Sequence, residues 1–219
     1  MKIQSTDAQV WWIALADEVR PVRGVDGPML AAGLQSIFNF SSPPSEVKGG
    51  GAEFLNGRWG DGDHNVLITK LALFNDGINI QVPTNTDDAE IILQRTLAFL
   101  FDVGVRRPTS GALHFYQSTV ISDFEYPLES VLPSALLRKI SEAMPIAGES
   151  HLLNIATNFD AAMIADGRWR GINPTVFRVD RRASVPYKLN RYFCLANMKT
   201  SDHIEILSDF ERFASIAQK

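Results

Sequence analysis

Apolar residues recur at helical spacing in two long stretches of the chain. In the first, Ile92, Leu93, Leu97, Leu100 and Phe101 follow Thr86-Asp87-Asp88 and stop short of Gly104. That spacing predicts a helix from Ala89 to about Val103, with acids at its positive end and glycine at its C-cap. In the second, Ile206, Leu207, Phe210, Phe213, Ala214 and Ala217 form a stripe that predicts a helix from Asp202 to about Ala217. Asp202-His203-Ile204-Glu205 has the form of its capping box. A shorter helix is predicted after Asp26-Gly27-Pro28, with Leu30, Leu34, Ile37 and Phe38 on its apolar face. Pro133 to Met144 reads as another helix.

Between these stretches the period shortens to that of strands. Ile78-Asn79-Ile80-Gln81-Val82 alternates as a half-buried strand does, after an Asn75-Asp76-Gly77 turn. Val10 to Ala16, Asn65 to Phe74, Gly111 to Asp123, Leu152 to Ile155, Pro174 to Val179 and Tyr187 to Ala196 are further strand candidates. Asn56-Gly57, between Phe54-Leu55 and Arg58-Trp59, carries a two-residue hairpin signal. Ser41-Ser42-Pro43-Pro44-Ser45 through Gly49-Gly50-Gly51 reads as a linker or a loop. Strands without regular βαβ alternation predict an α+β fold, its antiparallel or mixed sheet covered by helices mainly on one face. Residues 1–45 then form an N-terminal arm of strand plus helix, separate from or continuous with a body at 52–219.

Two segments echo each other. Glu53-Phe54-Leu55-Asn56-Gly57-Arg58-Trp59 resembles Met163-Ile164-Ala165-Asp166-Gly167-Arg168-Trp169, and an acid-capped helix start follows each, at Thr86 and Thr200. One reading is an internal ββα duplication of residues 52–104 and 163–217. The other is that α+β folds reuse hairpins.

Composition narrows the function classes without choosing one. The 219 residues carry 21 Lys plus Arg against 25 Asp plus Glu, a formal charge of −4, which argues against a general nucleic-acid binder. No apolar run reaches the ~18–20 residues that a membrane span needs. The N-terminus does not read as a signal peptide, so a cytoplasmic location is the expectation. Cys194 is the one cysteine, expected to act as a small buried hydrophobe.

The charge is unevenly spread. Arg168, Arg170, Arg178, Arg181, Arg182, Lys188 and Arg191 lie within 24 residues that hold a single acid, Asp180. Trp169, Phe177, Tyr187 and Tyr192 are interleaved. The planar forks of arginine suit carboxylate and phosphate, and Arg with Trp favours protein interfaces. The same residues would otherwise pair with acidic helices inside the fold.

Catalytic signatures are missing from the sequence. His64, His114, His151 and His203 are scattered, and no zinc-helix, phosphate-loop, dinucleotide or nucleophile-elbow motif occurs. Asp61-Gly62-Asp63-His64 offers oxygen and nitrogen donors for a divalent cation, but its composition is that of a turn. The expectation is therefore a non-enzymatic interaction or assembly protein without a cofactor. Arg168, Trp169, Arg170, Arg178, Arg181, Arg182, Lys188 and Arg191 would engage an acidic protein partner, a second copy or an anionic ligand such as a nucleotide or nucleic acid. The alternative is a metal-dependent enzyme on a phosphorylated or nucleic-acid substrate, with Asp61, Asp63 and His64 at the metal.

Overall fold

The structure is a computed structural model that describes residues 1–19, 27–47, 50–131, 138–139, 142, 154–158, 176–182 and 184–217. Nine strands form one sheet: β1 (Lys2–Ile13), β2 (Ser45–Glu46), β3 (Gly51–Asp61), β4 (His64–Phe74), β5 (Gly77–Val82), β6 (Leu113–Asp123), β7 (Asn154–Asn158), β8 (Val176–Arg181) and β9 (Arg191–Ala196). The helices described over their full length are α1 (Gly27–Phe38), α2 (Thr86–Asp102) and α3 (Thr200–Ala217), and residues 138, 139 and 142 are also helical. Every strand pairing is antiparallel, in the order β2-β3-β4-β5-β1-β6-β9-β8-β7. The fold is α+β.

Helices start and stop for local reasons. Asn85 caps α2, its side-chain oxygen accepting from the Asp87 and Asp88 amides at 2.9 Å each. Asn39 ends α1 in the left-handed region, its amide bonded to the Gln35 carbonyl. The capping box expected at Asp202 is displaced: α3 already begins at Thr200, so Asp202 sits in its first turn.

The sheet divides at the β1–β6 ladder. Outward on one side run β5, β4 and β3, with α1 and α2; outward on the other run β9, β8 and β7, with α3. Val82 and Ala196 each lie four residues before their helix starts, and they pair with Ala8 and Ser118, which pair with each other. The helix starts meet as well. The Thr86 amide donates to Thr200 Oγ1 at 3.1 Å, and the Thr200 amide donates to Thr86 Oγ1 at 2.9 Å. Rungs on the two sides can thus be matched by counting from this axis. The Gly-Arg-Trp match at 167–169 and the start of the 163–217 repeat lie outside the described residues, as does most of the helix expected at Pro133 to Met144.

The helices share one face of the sheet, where alternate strand residues point. On the first side Val10, Ile80 and Leu71, one continuous rung, pack with Leu34, Phe38, Ile92 and Leu93. On the second side Val120, Cys194 and Val179 do the same beneath Leu207. β1 begins earlier than the apolar run at Val10 suggests, because residues 2–5 are exposed strand with polar side chains apart from Ile3. Its place between β5 and β6 puts Lys2–Ile13 near the middle of the sheet, and Ser45–Glu46 of the proline–glycine segment pairs with β3.

Two strand expectations change. Asn56-Gly57 is not a hairpin turn but lies inside β3, with Asn56 at φ 54. There the ladder passes from Leu55–Lys70 to Gly57–Ile68, and inward-facing residues on β4 switch from Leu71 to Ile68 and Val66. Asparagine tolerates the left-handed conformation in a strand irregularity as readily as in a turn. Within β5, Asn79 is buried rather than exposed: Trp11 and Phe74, neighbours on the helix-free side, stack with centroids 6.2 Å apart.

Candidate functional site

The described part of the Arg-rich segment, 176–182 and 184–191, forms β8, the start of β9 and the tip between them, and strand alternation splits its cations. Neighbouring residues on a strand face opposite ways, so Arg181 and Arg182 cannot share a surface. Arg181 points to the helix side and is only 8% exposed. Its Nη1 donates to the Tyr187 carbonyl at 2.9 Å, and its Nη2 donates to the Tyr192 hydroxyl at 2.9 Å and to Asn190 Oδ1 at 3.4 Å. The guanidinium also lies over the Tyr187 and Tyr192 rings, 5.1 and 5.0 Å from their centroids.

Around this buried cation the tip is closed by its own backbone. Tyr187–Leu189 form one turn of 3-10 helix, and Asn190 follows in the left-handed conformation at φ 45. The Leu189 amide bonds Pro186 O, the Asn190 amide bonds Tyr187 O, and the Phe124 amide bonds Asn190 O. Outward, Tyr187 and Leu189 are 47% and 41% exposed, and Lys188 between them and Arg182 just after β8 are exposed too. Neither Arg182 nor Lys188 has an ion-pair partner among the described residues.

Two of the other candidates pair with acids. Arg191 grips Asp123 with both nitrogens, at 2.5 and 2.8 Å, while Gln4 donates to the same carboxylate at 2.7 Å. The Arg191 hydrogen bond and charge hold the Asp123 carboxyl below its ordinary pKa. Arg178 lies on the helix-free face with its Nε 2.5 Å from Asp180, which also accepts from Asn154. Arg168, Trp169 and Arg170 lie outside the described residues. Arg182 and Lys188 thus stand exposed at the tip, and Arg181 lies beneath it.

Asp61-Gly62-Asp63-His64 forms the β3–β4 turn. Asp61 pairs with His64, and Gly62 takes φ 60, as the first central position of a type II′ turn requires. The turn rests on α2: His64 Nε2 is 3.0 Å from Asp88 Oδ1, and Arg95 reaches Asp61 at 3.7 Å while lying over Trp59. Asp61 and His64 are thus turned toward separate partners, and among the described residues no three metal-ligating side chains gather.

A second polar cluster has no counterpart in the sequence reading. Glu90 on α2 lies 2.8 Å from His114 Nε2 and accepts from the Tyr116 hydroxyl at 3.3 Å. Burial, then the Glu90 charge, raises the Tyr116 pKa. Lys199 lies over the Tyr116 ring and 3.6 Å from Asp87, so the cluster ties α2 and the start of α3 to β6. His114 and Tyr116, two apart on one strand face, were the available signal. Cys194 is fully buried, and desolvation pushes its thiol up to about 12, which makes it inert. No protein-family model matches the chain, and no curated protein is significantly similar to it. The reading therefore stands on the site alone.

Proposed function

We propose that the chain is a non-enzymatic interaction protein whose β8–β9 tip docks an acidic, partly apolar segment of a partner protein. The observation that carries this is Arg181, a buried cation spent on fixing an exposed tip. A tip held in one conformation loses little freedom on binding. It presents an aromatic ring, an aliphatic side chain and two cations that have no ion-pair partner among the described residues, the composition that protein interfaces favour. Arg182 and Lys188 set the sign of the partner, and Tyr187 and Leu189 supply the desolvated contact.

The test is fluorescence anisotropy with a labelled peptide of alternating glutamate and leucine. Saturable binding at low salt is expected, weakened about tenfold or more by Arg182→Glu with Lys188→Glu, and weakened by added salt. Arg178→Gln leaves it unchanged, because Asp180 already neutralises Arg178. Undiminished binding by the charge-reversed, folded variant rejects the reading. The enzyme alternative predicts saturable Mg²⁺, Mn²⁺ or Zn²⁺ binding by calorimetry that Asp63→Asn removes.

A further inference from the structure

The first side of the sheet encloses a cavity of about 680 Å³ between β1, β3–β5, α1 and α2. Trp12, Leu30, Phe54, Leu73, Leu97 and Phe101 form its walls. Among the described lining residues none is charged, and only Asn75 and the Trp12 indole can hydrogen-bond through a side chain. Ala16, Gly27, Gly51 and Asn75, all exposed, mark its mouth. The volume is that of a small-molecule site, and an apolar chamber with so few polar groups is a poor host for ordered water.

The matching place on the second side is filled. The rung Leu73–Ile78, which lines the cavity, matches Arg181–Tyr192 across the axis. Ala14, which follows Ile13, matches Phe124, which follows Asp123; Phe124 packs edge-on against Tyr192 with centroids 5.2 Å apart. Leu128 closes the same space, its amide donating to the Tyr192 hydroxyl at 3.1 Å. One frame thus carries large fillers on one side and small or receding residues on the other.

We infer that the cavity is a binding site for a neutral, largely hydrocarbon small molecule, inserted chain-first with a hydrogen-bonding end at Asn75. A charged headgroup finds no counter-ion in the described lining, so a long-chain alcohol fits where the matching carboxylate does not. The decisive measurement is the fluorescence of N-phenyl-1-naphthylamine titrated with the full chain, followed by displacement with dodecanol or laurate. Saturable one-to-one binding is expected, with dodecanol displacing at least about tenfold more effectively than laurate. Ala31→Phe, which fills the chamber, and Ala16→Phe, at the exposed mouth, each weaken probe binding about tenfold while circular dichroism stays unchanged. Phe213→Ser with Ile216→Ser, which removes the exposed apolar end of α3, leaves binding intact. Absence of saturable binding, indifference to both fillers, loss on changing Phe213 and Ile216, or equal displacement by laurate overturns the inference.

Discussion

The two sides of the sheet share an antiparallel strand order and a helix after the strand beside the central ladder, α2 after β5 and α3 after β9, but among the described residues α1 lies on the first side alone, and the interiors are opposite. Where the first side has Leu73, Ile78 and Ala89, the second has Arg181, Tyr192 and His203. At the axis itself Ala8 faces Ser118, and His203 Nδ1 lies 3.1 Å from the Ser118 hydroxyl. The first side is packed by aliphatic and aromatic side chains and leaves a chamber. The matching place on the second holds Arg181, Tyr192 and His203, which make hydrogen bonds, beside apolar Phe124 and Leu128. The backbone frame does not dictate the chemistry of its core; one geometry accommodates both provided that buried polar groups are paired.

Exchanging residues between the sides tests that comparison, and the largest effect is expected at Arg181. Arg181→Leu, the residue of the matching rung, removes one of the two donors to the Tyr192 hydroxyl and one of the two to the Tyr187 carbonyl, together with the bond to Asn190, and should cost about 3–4 kcal/mol in urea unfolding. It should also abolish peptide binding through a loosened tip. An unchanged midpoint would mean that the second side does not depend on its buried cation.

The next effect is pH-dependent. Burial lowers the His203 pKa from 6.5 to about 4, so the unfolded chain takes up the proton first. The resulting contribution to stability is complete above pH 6.5 and falls as pH drops toward 4, by up to about 3 kcal/mol. His203→Ala with Ser118→Ala, which copies the first side, should flatten that slope relative to the parent protein. Urea midpoints at pH 7.5 and 4.5 measure it.

A smaller effect separates the packed side from the open one. Ala214→Phe, at a fully buried position on α3, should cost about 1–3 kcal/mol by overpacking. Ala31→Phe on the chambered side should leave the melting temperature unchanged or raise it. The smallest effect is expected for Arg178→Gln, within about 0.5 kcal/mol, since the Arg178 side chain is solvent-exposed.

Much of the frame was legible because it depends on local periodicity. α2, the body of α3 and the turn at Asn75-Asp76 follow from apolar spacing and turn residues that act over one or two turns of chain. What escaped depends on which way a strand faces. Asn56-Gly57 signals a left-handed residue but cannot say whether the chain reverses there. Arg181 and Arg182 look alike until alternation assigns one inward and one outward. Asn79 reads as solvent-facing because Trp11 and Phe74, which bury it, lie on other strands. The tip was half legible: its cations were evident, whereas the partnership of Arg181 with Tyr192 depends on the β8–β9 register. The cavity, a difference in residue volume between two distant rungs, leaves no local signature.

The position of β1 also sets the order in which the molecule can assemble. Val10 pairs with Ile80 on one side and with Tyr116 on the other, so both joins close loops of many tens of residues. Such long-range closures are slow to form compared with the local β3–β4 hairpin. The first side can reach a closed state once β5 arrives, whereas β6 needs β1 already in place to dock the second side onto the first. Hydrogen exchange during refolding should accordingly protect the local β4–β5 and β8–β9 pairs before the β1–β6 ladder, whose protection marks the moment at which two partial sheets become one.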